Sequence, residues 1–534
     1  MNQRVRDGLL LTGFCIFLFF YGLGQFGLVG ADEPRYAQVS REMLERHDWI
    51  TPTLGGKPWL EKPPLYYWQA MAAYRIFGVR DWSARVPSAL DASLIVLAVY
   101  FFLRKLRPGF HMDGALMTAS AAGLVGFAHS ASTDTPLAAM FALAMLAWYA
   151  WWETSRKIYL AIFYSFLALA VLAKGPVAII LAGAVIALFA LVARDAHIVR
   201  NMLWIPGILL FLLIALPWFV AVQMRNPGFF RIFILEHNLA RFGTALYHHE
   251  EPFWYYLPVT ALALVPWVVF ALASAFEATR AWWMERKALL TTEDALNVFL
   301  VLWLIVPVLF FSLSKSKLPG YILPAVPAGT LLVAEYVRRH VDDEGRPSRW
   351  LIGLHAIVAA MPLGPALAVA YLLEQHRLPW NHGTMIALAI ALVMAVGIAV
   401  ALASKAGLRL LYFVTVVPTL FVVAALIKIG APVVDQTLSA RTVARQLSAM
   451  ESKQLPLAVL GVNRETEYGL AFYRNQAISR YELGQVPASE HLLVAPQGTK
   501  TAVVQFAPER RVVFLGNFAP QNVEFYWVAG TKGN

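Results

Sequence analysis

Residues 176–193 read PVAIILAGAVIALFALVA, eighteen positions without a charged side chain, and Arg194 follows at once. An α-helix rises about 1.5 Å per residue, so a run of this length crosses most of a hydrocarbon core about 30 Å thick. Comparable runs recur toward both ends of the chain, at 9–26, 90–103, 115–128, 136–152, 159–173 and 202–222, then at 253–276, 295–313, 318–337, 351–373, 385–403 and 408–427. Together they predict a membrane protein of the all-α class, a bundle of about thirteen transmembrane helices.

Composition agrees. Of 534 residues, 59% are hydrophobic and 14% charged, against about 25% charged in a soluble globular protein. The net charge of +11 does not ask for a nucleic acid, because the basic residues stand in short loops on alternate sides of the runs: Arg104, Lys105 and Arg107, Arg156 and Lys157, Arg194 and Arg200, Arg286 and Lys287, Arg338 and Arg339. They share a side with the basic stub 1–7, and such residues mark the cytoplasmic face. The first run then reads as a retained anchor. The N-terminus is cytoplasmic, and an odd number of crossings leaves the C-terminus outside, in the periplasm of a bacterium with two membranes. The single cysteine, Cys15, lies in the first run, so the outer part of the chain has neither a disulfide nor a cysteine metal site.

Two external connections, 27–84 and 223–252, are longer than simple connectors, and function gathers in such loops. Segments 34–46, 64–77 and 229–242 mix charges with aromatic and aliphatic residues, as helices lying in the interface do. Beyond residue 429 the apolar runs shorten. Segments 457–462, 502–506 and 512–515 read as strands, and 434–450 and 465–475 as helices. The chain therefore divides into a transmembrane domain, 1–429, and a soluble α/β domain, 430–534. Its sequence carries no Walker loop, Rossmann glycine fingerprint or internal repeat, which argues against an ATP-driven pump.

Chemistry concentrates in five motifs. Where the first run ends stands Ala31-Asp32-Glu33-Pro34-Arg35-Tyr36. Adjacent carboxylates are costly to desolvate there; Asp32 reads either as the cap of a helix beginning at Pro34 or as a functional acid. In Trp59-Leu60-Glu61-Lys62-Pro63-Pro64-Leu65-Tyr66-Tyr67 a charged pair sits among prolines that fix the backbone and aromatics suited to the interface. Lys62 either meets a lipid phosphate or pairs with Glu61. Asp134, in Ser132-Thr133-Asp134-Thr135-Pro136, is a further acid, with capping again the alternative. Lys315, Lys317 and Tyr321, in Ser-Lys-Ser-Lys-Leu-Pro-Gly-Tyr, stand at an outer mouth against the positive-inside pattern. An anionic partner such as a phosphate head group explains them. Finally, Tyr247-His248-His249-Glu250-Glu251 offers imidazoles beside carboxylates. One of these histidines with Glu61 from the first loop is a candidate Zn²⁺ site, although adjacent histidines do not easily ligate one ion.

These motifs, in this order, resemble those of the polyprenyl-phosphate-dependent membrane glycosyltransferases of the GT-C fold, the class that includes the protein O-mannosyltransferases. Residues 31–36, 61–67, 132–136 and 315–324, with thirteen spans and an external C-terminal domain, look like the lipid A aminoarabinose transferase family over nearly the whole chain. The resemblance implies an inverting pentosyltransferase of the inner membrane. It would move 4-amino-4-deoxy-L-arabinose from undecaprenyl phosphate to a lipid A phosphate on the periplasmic face, a lipopolysaccharide change that gives resistance to polymyxin and cationic antimicrobial peptides. It implies catalytic roles for Asp32 and Asp134 and a grip on the carrier phosphate by Arg35, Lys62 and Tyr321, which the reading of Lys315 and Lys317 extends. No cofactor is required by it. The implied partners are the undecaprenyl-phosphate-linked donor, the lipid A acceptor and membrane lipids.

A polyprenyl phosphate is already a good leaving group, so cations need only stabilise its departing charge. A lipid A phosphate, with a second pKa of about 6, is already an anionic nucleophile, and Asp32 then positions a substrate. A protein Ser or Thr hydroxyl would instead need Asp32 as a base, as in a protein O-mannosyltransferase-like enzyme. A transporter or flippase is the reading from another class; it predicts ionisable residues at mid-membrane and paired halves. Here the candidate charges stand in external loops, with Asp91 the exception.

Overall fold

The computed structural model describes residues 2–233, 236, 251–284, 292–341, 347–369, 372 and 381–531. Among them nine helices are long and apolar enough to cross a membrane, or ten if the bent pair Phe253–Ala263 and Val268–Met284 is one crossing. Several runs that read as single rods are broken. Run 9–26 is helix α1, Gln3–Cys15, continued by a π turn, Ile16–Phe20. Helices α2 (Asp32–Glu45), α3 (Leu65–Phe77) and α4 (Asp81–Leu106) follow. Run 115–128 is two helices, α5 (His111–Ala119) and α6 (Ala122–Ala128). At the break the Ser120 hydroxyl turns back onto the Leu116 carbonyl (2.7 Å) and accepts from the Trp267 indole (3.0 Å), so side chains take over from the interrupted backbone ladder. Run 318–337 opens as a 3₁₀ turn, Pro319–Ala325, where Pro319 and Pro324 supply no amide donor, and only then becomes the helix Val326–His340. Helices α7 (Asp134–Thr154) and α8 (Lys157–Lys174) pack at the centre; α7 is buried along nearly its whole length.

Both interface helices of the first loop form where the charge and aromatic pattern placed them, whereas segment 229–242 lies mostly outside the described residues. Between the two helices β1 (Thr53–Leu54) and β2 (Lys57–Pro58) make a two-residue hairpin through Gly55 and Gly56, both at positive φ. The Glu42 carboxylate accepts both glycine amides, at 2.8 and 3.1 Å. α2 and α3 then pack through Tyr36, Met43, Tyr66, Tyr67, Met71 and Tyr74, and Phe472 from the far end of the chain joins that cluster.

Beyond Gly430, strands β3 (Leu457–Val459), β4 (Ser479–Arg480), β5 (His491–Pro496), β6 (Val512–Phe518) and β7 (Val523–Val528) form one sheet in the order β4-β3-β5-β7-β6. β3 is parallel to β4 and β5, and the remaining pairs are antiparallel. Alternate residues of β3 and β5 enter different apolar clusters, so the centre of the sheet is buried on both faces. Segment 502–506, expected as a strand, is the helix Lys500–Phe506. Only Val503 of that segment is buried, and one apolar anchor does not impose a period of two. Segment 434–450 is two helices, Ala431–Thr437 and Ala440–Ala449, parted where the Ser439 side chain accepts the Arg441 amide.

This C-terminal layer is moored on the connection 27–84. Arg41 of α2 donates to the Phe472 carbonyl (2.8 Å) and the Tyr473 hydroxyl accepts the Leu28 amide (2.7 Å). Arg441 bonds Asp435 and Asp81, at 2.8 Å each, and the Gly24 and Gln25 carbonyls.

Candidate active site

The site is built on a buried pair one residue away from it. Glu33 and Arg85 meet at 2.7 Å with both side chains almost wholly enclosed. Arg85 also donates to the carbonyls of Leu23, Phe26 and Gly27 (2.8, 2.8 and 2.9 Å). Glu33 accepts the amides of Val29 (2.9 Å) and Ala131 (2.7 Å). The chain leaving the first helix, the start of α2, α4 and the loop entering α7 are therefore tied at one point. A buried pair is tolerable only when its remaining lone pairs and protons are used, as here.

That tie presents Asp32. α2 begins at Asp32 itself, with Ala31 at the cap position and no side-chain cap bond, so the capping reading does not hold. The carboxylate, 48% exposed, instead takes the Arg35 guanidinium one turn along. Arg35 is enclosed by three rings, those of Trp59 (4.9 Å to the guanidinium carbon), Tyr36 (5.5 Å) and Tyr468 (5.6 Å). Burial works against its charge, but the Asp32 carboxylate, followed by Tyr36 and Glu61, outweighs burial and holds its pKa above the ordinary value. Tyr36 and Tyr67, both buried, are pushed upward chiefly by burial and stay protonated.

Asp134 opens α7 and is not its cap either; Thr133 holds that position without a side-chain bond. Its carboxylate accepts the Ser132 hydroxyl (3.1 Å) and pairs with Lys174, the last residue of α8. The Lys174 ammonium lies 4.1 Å from the centre of the Tyr321 ring. Gly320 is required at that approach: a Cβ there would stand 2.5 Å from Asp134 Oδ2 and 2.8 Å from the Phe127 ring. The turn itself is pinned by the Tyr256 hydroxyl, which donates to the Leu318 carbonyl (3.0 Å) and accepts its amide (3.1 Å). Burial, and after it Asp32 and more weakly Asp134, raise the pKa of the Tyr36 phenol.

The structure thus pairs Asp32 with Arg35, and places Asp134 with Lys174 and Tyr321. Lys62 is half-buried. Lys315 is exposed, whereas Lys317 is buried with its ammonium on the Ser314 carbonyl, inside the turn. His248 and His249 lie outside the described residues, and among the described residues no three His, Cys, Asp or Glu side chains are grouped to hold a metal. An apolar groove of about 380 Å³, lined by Leu216, Phe219, Val220, Met224, Phe229 and Phe230 with Gln223, runs along the C-terminal end of the helix Ile205–Arg225. Phe229 stacks on Phe233, which packs against Gly175 at the end of α8.

Sequence reasoning missed Lys174, Glu33 and Arg85. A lysine closing an apolar run directly before Gly175-Pro176 was a usable signal. For Glu33 and Arg85, 52 positions apart, there was none.

The family model described as dolichyl-phosphate-mannose-protein mannosyltransferase matches residues 61–220. The undecaprenyl phosphate-alpha-4-amino-4-deoxy-L-arabinose arabinosyl transferase 2 of Pseudomonas fluorescens is 30% identical over 80% of this chain and 72% of its own length. The enzyme of that name from Pseudomonas savastanoi pv. phaseolicola is 31% identical over 74% and 73%. That of Pseudomonas aeruginosa is 34% identical over 64% and 61%, so the chain spans less than two thirds of it. Among solved structures, ArnT from Cupriavidus metallidurans bound to undecaprenyl phosphate superposes with a TM-score of 0.76, covering 98% of this chain and 99% of that one at 23% identity, and so shares the fold.

Proposed function

Since this chain belongs to the family of undecaprenyl phosphate-α-4-amino-4-deoxy-L-arabinose arabinosyl transferases, we propose that it transfers 4-amino-4-deoxy-L-arabinose from undecaprenyl phosphate to a lipid A phosphate. The observation that carries this reading is the site itself: two acids, each paired with its own cation, Asp32 with Arg35 among aromatic rings and Asp134 with Lys174 beside Tyr321. An acceptor phosphate oxygen attacks the sugar carbon, the bond to the carrier phosphate breaks with its electron pair left on oxygen, and the centre inverts. No proton needs to move. Arg35 and Lys62 meet the charge that develops on the departing phosphate, in a site where fixed charges act more strongly than in water. Asp32 faces solvent on one side and Arg35 on the other, and it orients the sugar, whose amine it complements. Asp134 and Lys174 fix the second wall, and Tyr321 lines it.

In the same reading the chain crosses the membrane thirteen times with its N-terminus in the cytoplasm. Residues 1–429 are the glycosyltransferase domain, and 430–534 are a soluble domain over the periplasmic site. The alternation of basic loops supports this orientation. The chemistry asks for no cofactor, because the leaving group is a phosphate and the nucleophile is already charged.

The test is transfer from purified undecaprenyl phosphate aminoarabinose to lipid A, followed by mass spectrometry, with Lys62→Ala alongside. Addition of one aminoarabinose by the parent, with loss in the variant, supports donor, acceptor and site together. A well-folded parent that leaves lipid A unmodified removes the acceptor assignment. The mannosyltransferase match over 61–220 makes a serine- or threonine-containing peptide the next acceptor to try.

A further inference from the structure

Arg35 is held in an unusual way. Its only hydrogen-bonded partner among the described residues is Asp32, through one terminal nitrogen, while its Nε is buried without an acceptor. One anchored nitrogen does not by itself fix the guanidinium plane, so its orientation is set by the ring faces around it. Two belong to the connection 27–84, Tyr36 and Trp59. The third, Tyr468, comes from the helix Arg464–Arg474, more than 400 positions away.

That helix is placed by contacts on the same face. Phe472 follows Tyr468 by four residues and so lies one turn along on the same side. Its carbonyl takes Arg41, and its ring lies 4.4 Å beneath the Arg41 guanidinium. Tyr473 adds its bond to the Leu28 amide. One face of one helix therefore both docks the C-terminal layer on α2 and sets a ring against Arg35.

We propose that Tyr468 is a positioning residue for the transfer: the C-terminal layer supplies the third aromatic wall that keeps the Arg35 guanidinium aimed at the phosphate of the lipid-linked donor. The proposal rests on the reading of Arg35 as a phosphate ligand. It gives the C-terminal layer a part in donor binding, although no catalytic motif lies within it. The ring face acts here, not the hydroxyl, since among the described residues Tyr468 makes no hydrogen bond at the site but stacks on the cation.

Donor kinetics on Tyr468→Ala and Tyr468→Phe, with direct binding of undecaprenyl phosphate to the same proteins, decide it. Tyr468→Ala is expected to raise KM for the donor about three- to tenfold at nearly unchanged kcat and to weaken undecaprenyl phosphate by a similar factor. Tyr468→Phe should restore both, and in an Arg35→Lys background the alanine substitution should add little. Should Tyr468→Ala melt early, Tyr468→Leu keeps bulk without a ring and carries the same comparison. Unchanged KM and binding in the ringless variants, or a phenylalanine as poor as alanine, overturns the proposal. A parent that binds undecaprenyl phosphate but transfers no aminoarabinose defeats the functional reading alone, and binding then decides Tyr468. A parent that does not bind undecaprenyl phosphate defeats both.

Discussion

Asp32 and Glu33 are neighbours in one turn of α2, each paired with an arginine, and they do opposite things. Glu33 is sealed against Arg85 with its oxygens consumed by that guanidinium and two backbone amides, so no valence is left for a ligand. Asp32 is half exposed and shares Arg35 with rings, not with further acceptors. Charge and sequence position are the same for both; the number of unsatisfied partners separates an acid that holds the fold from one able to meet a substrate. Asp134 lies between them, 14% exposed and anchored to Lys174, but turned to the gap that Gly320 leaves open.

The comparison breaks most readily at Glu33. Glu33→Ala leaves Arg85 buried without its counter-charge, and removing one partner of such a pair costs about 3–5 kcal/mol. The expected outcome is poor expression and a large fall in melting temperature in detergent. Melting as high as the parent's would show that the tie at Arg85 is not what holds the first loop.

Asp32→Asn should do the reverse. The amide keeps the size and a weak bond to Arg35 but loses the charge; because Arg35 is 14% exposed and Asp32 itself half open to solvent, stability should fall by about 1–2 kcal/mol, less than at Glu33. Transfer should fall about 10²- to 10³-fold, the scale of removing one preorganised electrostatic contact. Rates on lipid A measured beside a thermal melt check both halves. Activity within a few-fold of the parent would place Asp32 with the structural acids.

Gly320→Ala sharpens the same division at the second wall. The added methyl meets the Asp134 carboxylate at 2.5 Å, and that short side chain is held by Lys174 and Ser132, so the acid must turn or the turn must shift. Transfer should drop about tenfold, as expected when a small misplacement takes up to two orders of magnitude. A Gly320→Ala enzyme with parental kcat/KM would show that Asp134 does not need its present position.

Much of this architecture is legible in the amino-acid sequence. The interface helices of the first loop show in their mixed charge and aromatic pattern, and Asp32, Arg35, Asp134 and Tyr321 in motifs that mix ionisable residues with proline and aromatic punctuation. The breaks in the runs are not legible: the kink at Ser120 depends on an indole 147 positions away. Lys174 reads as the end of an apolar stretch because its partner, Asp134, is 40 positions earlier. Tyr468 is invisible for the same reason, since no local pattern tells a helix face that covers a guanidinium from one that covers a core.

A third acid–arginine pair tests the lower end of the scale. Glu467, beside Tyr468 in the docking helix, stands 3.7 Å from Arg480, which is about one third exposed. Burial raises the Glu467 pKa, Arg480 lowers it and Glu482 raises it again, with a net upward shift. A carboxyl whose folded pKa lies above its unfolded value is more easily ionised in the unfolded chain. Its contribution is therefore fully present below the unfolded value, about 4.3, and is lost as pH rises through the folded value. At pH 7 the ionised Glu467 is a small liability in spite of its arginine. Glu467→Gln should leave melting unchanged near pH 4 and raise it slightly at pH 7, by under about 1 kcal/mol as befits a partly exposed pair. A variant less stable than the parent at pH 7 would mean that the Arg480 pair outweighs burial, and Glu467 would then belong with Glu33 among the acids that hold the fold.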